Sequence, residues 1–257
     1  MNLLNRLFAK LNYWISIYNI HIIKTLYFNF RMLPFRKAIH LPFVFYGKTE
    51  FSLKGKVEIK TPCHFGMAKI GKKRDGFAPL SSPTRIDITK EGKLLIKGDI
   101  VTSPGCTFRI IGTLELADQS FIGSQCIIAC NNHISIGYNS RISFNSVIVD
   151  TNFHYISIDD IIYAKEGNIH IGDNCWIGNS SSIMKGAYIP NGSIVAARSL
   201  INKNFSQEGE NIMLAGIPAK VKRKGVKRIF SPILEAQIYK YFTEHPDEKT
   251  YRLTSSK

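Results

Sequence analysis

The feature that most constrains the fold is an aliphatic residue that returns at every sixth position. In the segment IGDNCWIGNSSSIMKGAYIPNGSIVAARSLI, residues 171–201, every such position holds isoleucine or valine: Ile171, Ile177, Ile183, Ile189, Val195 and Ile201. An amphipathic helix spaces its apolar residues three or four apart, and a half-buried strand spaces them two apart. A spacing of six therefore describes a repeating unit larger than one helix or strand.

Each six-residue unit fits one short strand followed by a corner. Glycine, asparagine and aspartate suit corners because they tolerate left-handed backbone angles, and they stand beside the repeated aliphatic in IGDN, IGN and IPNG. The aliphatic side chains then stack inside a coil that cannot bury its inner face alone. The spacing recurs upstream at Leu116, Ile122, Ile128 and Ile134, and in a shifted phase at Ile136, Ile142 and Ile148. The pattern predicts a parallel β-solenoid over residues 50–215, with an antiparallel β-sandwich of fortuitous spacing as the alternative.

Three segments carry a resemblance to a known family: DTNFH at 150–154, IGDNCWIGN at 171–179 and LAGIPAKVKRK at 214–224. Together with the repeat they resemble the hexapeptide-repeat acyltransferases, and within them the polysaccharide or capsule O-acetyltransferase branch. The resemblance implies an all-β fold, a left-handed parallel β-helix, although parallel crossovers are usually right-handed.

The resemblance and the composition together divide the chain into three parts. We expect a helical, aromatic and basic extension at 1–48, the β-helix acyltransferase domain at 49–218, and a basic tail at 219–257. The tail should contain a short helix that begins near Ser231 and Pro232, because proline is common early in helices.

The candidate catalytic residues lie in and near the segment 149–170, where the six-residue spacing breaks. His154 matches the family's catalytic histidine, and imidazole suits a base that removes a hydroxyl proton near neutral pH. Asn152 stands where the family often has an aspartate, so Asp150 becomes the candidate for orienting the imidazole, with a backbone carbonyl as the alternative. Trp176 matches a tryptophan of the family's active site. Its backbone N–H or indole would hold the acyl oxygen, unless the side chain serves only packing.

The resemblance also implies a binding groove for acetyl-CoA between neighbouring β-helices of a homotrimer. The matching positions along the pantetheine arm are Asn179, Ala197 and Lys203. Lys220 and Arg223 match the family's basic positions for the nucleotide phosphates. The segment 220–228 holds six Lys/Arg, enough to screen those phosphates, and the alternative is a solvated basic tail.

The charge and composition limit the classes of partner that the protein can bind. The 257-residue chain has a formal net charge of +15, so its surface should attract anionic groups. We expect no nucleic acid, because the basic residues are spread out without an aromatic-plus-basic binding motif. The five cysteines form an odd set with no C-x-x-C pair, which favours reduced thiols in a cytoplasmic protein.

No metal is expected from the histidine spacing. His133, His154 and His170 lack the close pair that a three-histidine zinc site of this fold needs. His64, His133 and His170 are interpreted as structural, with a subunit-facing role as an alternative for His170.

The N-terminal segment favours a surface helix. Its apolar residues follow helical spacing at Leu4, Leu7, Leu11, Ile15, Tyr18 and Ile22, and the segment lacks the pattern of a secretory signal or a spanning helix. It would contact an anionic membrane at the inner face of the cell, or pack on its own domain or a neighbouring subunit. Pro34 disfavours continuation of the helix.

The implied activity is the transfer of an acetyl group from acetyl-CoA to a sugar hydroxyl in a surface polysaccharide or its precursor. The alternative is an N- or O-acetyltransferase that acts on a nucleotide sugar or a small molecule. Loops 72–85 and 152–168 would decide between these acceptors.

Overall fold

Three sheets form the walls of a solenoid in the computed structural model of the chain, which describes residues 19–79 and 81–253. Sheet I has nine strands: β1 (Phe43–Phe45), β4 (Ala68–Ile70), β7 (Ile100–Thr102), β10 (Ser120–Ile122), β13 (Arg141–Ile142), β18 (Trp176–Ile177), β21 (Ile194–Val195), β23 (Ile212–Gly216) and β24 (Ala219–Lys224). Sheet II has seven: β2 (Thr49–Leu53), β5 (Thr84–Ile88), β8 (Thr107–Ile110), β11 (Ile127–Cys130), β14 (Val147–Val149), β19 (Ser182–Met184) and β22 (Leu200–Ile201). Sheet III has six: β3 (Lys56–Ile59), β6 (Lys93–Lys97), β9 (Thr113–Ala117), β12 (His133–Ile136), β17 (Ile169–Ile171) and β20 (Tyr188–Ile189).

The remaining elements decorate this solenoid. Strands β15 (Ile156–Ile158) and β16 (Ile161–Tyr163) form a separate antiparallel hairpin. The helices are α1 (Ile22–Met32), α2 (Phe35–Ala38) and α3 (Pro232–Glu244), with a 3₁₀ turn at Ser206–Glu208. No helix in the described part of the chain is both long and apolar enough to cross a bilayer.

The repeated aliphatic residues fill the core in three columns, one per sheet. Parallel pairing aligns Leu116, Ile136, Ile171 and Ile189 in sheet III, Ile122, Ile142, Ile177 and Val195 in sheet I, and Ile128, Ile148, Ile183 and Ile201 in sheet II. Every one of these side chains is buried. Burial of each stabilises the fold by about 1.5–3 kcal/mol, so a continuous column makes the coils mutually dependent. The predicted left-handed parallel β-helix is confirmed, and the β-sandwich alternative is excluded.

The phase shift of the repeat has a structural reason. Strands β12 and β17 of sheet III each bury two isoleucines, Ile134 and Ile136 in β12, whereas the two-residue strand β20 of the last coil buries only Ile189. Ile122 therefore pairs with Ile142, a step of 20 residues, while Ile177 pairs with Val195, a step of 18. The longer strand adds the residues that displace the phase.

Left-handed backbone angles mark the corners, as predicted, but the residue types are broader than glycine, asparagine and aspartate. Between sheets I and II, successive corners place Gln125, Asn145, Ser180 and Arg198 at φ of 57–58°. The stacked corners then align the coils above and below.

Helix α1 covers one end of the solenoid. The Phe28 ring lies 4.7 Å from that of Phe43 and 4.9 Å from that of Phe45, all three fully buried. The Asn29 side chain bonds both the N–H and the carbonyl of Phe43, which protects the exposed edge of sheet I. The helix ends before Pro34, as predicted. The predicted helical positions up to Tyr18 lie outside the described residues.

The other end is closed by the antiparallel pair β23 and β24. Beyond it, α3 begins at the predicted place, where the Ser231 hydroxyl accepts a hydrogen bond from the Leu234 N–H. The domain boundaries at 48/49 and 218/219 stay predictions. Strands β1 and β24 lie outside residues 49–218, and both pair within sheet I.

Candidate active site

The segment that interrupts the six-residue spacing forms an arm, which leaves the solenoid at the corner between β14 and β17. Its hairpin of β15 and β16 makes an antiparallel pair only with itself. Large apolar side chains cover the arm, and all are at least half exposed: Phe153, Tyr155, Ile156, Ile158, Ile161, Ile162 and Tyr163. Such a patch is typical of a surface that another protein molecule covers.

His154 stands at the base of this arm, exposed to solvent. It lines a cavity of about 220 Å³ together with the arm and Lys185. The Lys185 ammonium donates a hydrogen bond to the Ala164 carbonyl at 2.7 Å, which ties the arm to the solenoid. The imidazole makes no hydrogen bond to the described residues, so its ring nitrogens are free for a substrate hydroxyl.

Asp150 lies where the arm leaves the solenoid, but its side chain points into the solenoid. It is fully buried, and its two carboxylate oxygens accept the backbone N–H groups of Asn131 at 2.7 Å and Asn132 at 2.8 Å. Burial raises the pKa of Asp150, against the opposing effect of these N–H donors. The carboxylate therefore caps a turn of the preceding coil, and these contacts do not support the predicted role of orienting His154.

Trp176 projects from sheet I with 38% of its surface exposed. Its indole N–H donates to the Ser143 hydroxyl at 3.0 Å. Its backbone N–H donates to the Ser193 carbonyl at 2.9 Å as part of the sheet. Both donors of Trp176 are therefore engaged, but only the indole N–H bonds a side chain rather than the sheet, so it is the donor whose partner an acyl oxygen can replace.

One chain does not bring His154 and Trp176 together. His154 follows sheet II, whereas Trp176 lies on sheet I, and the two line separate cavities. A site that uses both residues needs two copies of the chain, each contributing one residue.

The predicted cofactor positions divide between two corners and the last strand. Asn179 and Ala197 stack on successive corners between sheets I and II, where the Asn179 carbonyl accepts the Arg198 N–H at 2.9 Å. Lys203 lies at the corner after sheet II, with its ammonium 4.9 Å from the ring centre of Phe205. These three positions do not line one groove of a single chain.

Lys220 and Arg223 are exposed on β24, in a strand with few opposing charges. The one acid paired there is Glu208, whose carboxylate lies 3.6 Å from the Lys224 ammonium among the described residues. The outer face of β24 is accordingly able to hold an anion.

Two further histidines, His170 and His64, have structural contacts. His170 Nδ1 lies 2.9 Å from the Ser135 hydroxyl and its ring stacks on Tyr188, while burial lowers its pKa. His64 Nε2 lies 2.7 Å from the Asp99 carboxylate. Within residues 19–79 and 81–253, no cluster of three His, Cys, Asp or Glu could hold a metal ion.

A larger cleft adjoins Trp176 and holds residues that the sequence did not single out. It measures about 700 Å³ and lies between sheet I, the loop after β4 and the segment that leads into α3. Three arginines line it: Arg74, Arg141 and Arg228. Arg141 precedes the inward Ile142 as Trp176 precedes Ile177, so the repeat itself carried the signal for this neighbour.

Comparison with known proteins agrees with the fold. The family model of the bacterial transferase hexapeptide (six repeats) matches residues 168–203. An uncharacterized 24.8 kDa protein in the cps region of Klebsiella pneumoniae is 28% identical over 204 residues, which cover 77% of this chain and 86% of that protein. The putative colanic acid biosynthesis acetyltransferase WcaF of Escherichia coli is 28% identical over 50% of this chain and 68% of its own. The crystal structure of the polysialic acid O-acetyltransferase OatWY aligns with 77% of this chain and all of its own, at 19% identity and a TM-score of 0.49.

Proposed function

We propose that the chain is a hexapeptide-repeat acyltransferase that transfers an acetyl group from acetyl-CoA to a hydroxyl of a sugar in a surface polysaccharide or its precursor. The observation that carries the proposal is an exposed imidazole at His154, which makes no hydrogen bond within residues 19–79 and 81–253 and stands on the arm that interrupts an otherwise regular solenoid. The name of the relative in colanic acid biosynthesis supports a polysaccharide acceptor.

His154 acts as the general base. It removes the proton from the acceptor hydroxyl while that oxygen attacks the thioester carbonyl, forming a tetrahedral intermediate. The carbon–sulfur bond then breaks, and the imidazolium returns its proton to the thiolate of coenzyme A. Proton transfer by a well-positioned base contributes about 10²–10⁴-fold to such reactions.

Trp176 of a neighbouring copy supplies the donor for the developing oxyanion. The indole N–H now bonds the Ser143 hydroxyl at 3.0 Å, and a modest rotation exchanges that partner for the acyl oxygen. Asn179, Ala197 and Lys203 border the pantetheine arm in this assembly, and Lys220 and Arg223 hold the nucleotide phosphates. Placing cofactor residues on two corners is compatible with a groove that two copies share.

The assembly is a homotrimer in this proposal. The described residues leave the apolar arm uncovered, since Ile158 and Ile161 are 55% and 59% exposed. Burial against a second copy would remove this surface from water at about 25 cal/mol per Å². The same contact would carry His154 to the neighbour's Trp176.

The enzyme works in the cytoplasm, with a peripheral contact to anionic lipid at the inner face of the membrane. Helix α1 exposes Ile23, Tyr27 and Phe30, and helix α2 exposes Phe35. Arg31 stands in the last turn of α1. Apolar side chains with nearby cations suit an anionic bilayer surface. Flotation with anionic liposomes tests the contact: protein that stays entirely in the soluble fraction contradicts it.

His154→Ala tests the chemistry, with His64→Ala as the matched control because His64 is also exposed and lies elsewhere on the solenoid. Labelled acetyl-CoA is presented with a panel of oligosaccharides, nucleotide sugars and amino sugars. We expect kcat to fall about 10²–10⁴-fold in His154→Ala and to stay near the wild-type value in His64→Ala. Equal rates in both variants would remove His154 as the base. Acetylation only of amines or small molecules would favour the alternative function.

A further inference from the structure

Three arginines converge on the cleft beside Trp176. Arg74 comes from the loop after β4, Arg141 from β13, and Arg228 from the segment after β24. None of the salt bridges among the described residues involves them. Three separate parts of the chain thus bring positive charge to one place without neutralising it.

The two acidic residues of the cleft do not supply the missing partners. The Asp75 carboxylate accepts hydrogen bonds from the backbone N–H and the hydroxyl of Ser124, the first at 2.6 Å, and from the Phe77 N–H at 3.3 Å. Glu235 raises the pKa of Arg228 through its charge, although burial lowers that pKa more. Asp75 therefore fixes the loop, and Glu235 offsets only part of the charge.

Aromatic rings hold two of the guanidinium groups in place. Arg228 lies 5.6 Å from the ring centre of Trp176 and 4.8 Å from that of Phe230, and Arg141 lies 5.9 Å from that of Phe121. Stacking on a ring face leaves the N–H groups at the edge of a guanidinium available. Arg141 uses one such group, from Nη2 to the Asn139 side chain at 3.1 Å. Guanidinium N–H donors of this kind bind the oxygens of a phosphate, often in pairs.

The arrangement is costly without an anion. Arg141 and Arg228 are both half-buried, and burial, followed by the charges of Arg228 and Arg74, lowers the pKa of Arg141. Like charges in a partly desolvated cleft repel each other more strongly than they would in water. A bound anion would relieve this repulsion and stabilise the folded chain.

The cleft is distinct from the basic strand β24. Residues Arg141, Trp176, Ile194, Met213 and Arg223 occupy one register line across sheet I. Neighbouring strands lie about 4.8 Å apart, so Trp176 and Arg223 are separated by three spacings, or about 14 Å. Sheet I therefore offers two anion sites on one face, of which β24 is the one assigned above to the phosphates of coenzyme A.

We propose that the cleft of Arg74, Arg141 and Arg228 binds a phosphate or pyrophosphate group of the acceptor, so that the substrate class is a nucleotide- or lipid-linked sugar. The assignment of this anion to the acceptor rests on the proposed acetyl transfer. Trp176 then borders both the acyl group and the acceptor, and the pyrophosphate sets how far the sugar hydroxyl reaches toward His154 of the neighbouring copy.

Binding is measured with the full chain in a Trp14→Phe background, where Trp176 is the sole remaining tryptophan of two. Inorganic pyrophosphate is the first probe, followed by uridine diphosphate, farnesyl pyrophosphate and coenzyme A. We expect pyrophosphate to change the Trp176 emission and to raise the unfolding temperature. Arg141→Gln should weaken its binding roughly ten- to hundredfold, the range for loss of a charge-assisted hydrogen-bonding partner.

Arg109→Gln is the matched control, because Arg109 is an exposed strand arginine on sheet II, outside the cleft. Arg228→Gln gives an independent test, since Arg228 lies outside the solenoid strands. Equal pyrophosphate affinity in the control and in both cleft variants overturns the proposal. The proposal is also overturned if coenzyme A competes with pyrophosphate and binds more weakly to Arg141→Gln, because the cleft would then belong to the cofactor. Preference for uridine diphosphate or for farnesyl pyrophosphate distinguishes a nucleotide carrier from a lipid carrier.

Steady-state kinetics separate this proposal from the proposed function. We expect Arg141→Gln to raise KM for a pyrophosphate-linked sugar roughly ten- to hundredfold while KM for acetyl-CoA stays unchanged. Equal KM values of wild type and Arg141→Gln for that acceptor would reject the acceptor cleft and leave acetyl transfer standing. Pyrophosphate binding through Arg141 without acetyl transfer to any sugar hydroxyl would reject the proposed function and leave the anion site standing.

Discussion

Replacing Asp150 by asparagine separates a structural carboxylate from a catalytic one. In the structure both oxygens of Asp150 accept backbone N–H groups, from Asn131 and Asn132, and the side chain is fully buried. Asparagine keeps the shape but offers one carbonyl oxygen, and its NH₂ group then faces an N–H donor. One charge-assisted hydrogen bond is lost, which costs about 1.5–3 kcal/mol.

The expected signature is reduced stability with retained activity. A loss of that size lowers the unfolding temperature by roughly 3–12 °C for a chain of this length. The rate constant kcat should stay within about threefold of wild type, because removing the carboxylate that orients a catalytic histidine costs about 10⁴-fold in a serine protease whereas a distant cap does not. Differential scanning fluorimetry and an acetyl-transfer assay on the same preparation measure both quantities.

Asp173→Asn is the control for Asp150→Asn. The Asp173 carboxylate also accepts a backbone N–H, from Tyr138 at 2.7 Å, but it is exposed and lies at a different corner. Its replacement should cost less stability and leave kcat unchanged. A 100-fold or greater fall of kcat in Asp150→Asn, with an unchanged unfolding temperature, would refute the structural assignment and support the predicted orienting role.

The remaining predictions concern the core, one buried histidine and the arm. Ile183→Ala should lower the free energy of unfolding by about 2–5 kcal/mol in urea, because Ile183 is fully buried between Ile148 and Ile201. The control Ile127→Ala, on the outer face of sheet II, should cost under about 0.5 kcal/mol. Similar losses in both variants would contradict the stabilising role of the buried column. Burial lowers the pKa of His170, so as the pH falls the imidazole is protonated in the unfolded chain before it is protonated in the folded chain. The contribution of His170 to stability is therefore complete above its unfolded pKa of 6.5 and is lost as the pH falls below that value. His170→Gln should flatten that pH dependence below about pH 7, and an unchanged slope would contradict the assignment. Charging the arm with Ile158→Asp and Ile161→Asp should shift the sedimentation coefficient toward the monomer, and an intact oligomer would show that the arm is not at the interface.

The fold was predictable because few folds can bury a residue at every sixth position. Any residue that returns every six positions and must be buried, as Ile177 and Val195 must, requires stacked coils. The shift between Ile134 and Ile136 was visible in the sequence, but its cause was not, since only the structure shows both side chains entering the core.

The site was predictable to a smaller extent. His154 is exposed on the arm as expected, because a segment without the repeat cannot join the columns. The direction of Asp150 was not predictable, since a residue that ends a strand faces either the arm or the adjoining turn, and backbone donors at 131–132 decide it.

The arginine cleft was also predictable only in part. Arg141 precedes Ile142 as Trp176 precedes Ile177, so the register of the repeat placed the two side by side on sheet I. Arg74 and Arg228 come from segments without a repeat, and only tertiary structure brings them there.

Mixing two inactive variants tests the shared site most directly. Co-expressed His154→Ala and Trp176→Ala chains form mixed oligomers in which some interfaces combine an intact histidine with an intact tryptophan. For random assembly of equal amounts, roughly a quarter of the interfaces of a cyclic trimer are intact, so the mixture should recover about that share of wild-type activity. Activity no greater than that of either variant alone would contradict a site built by two copies of the chain.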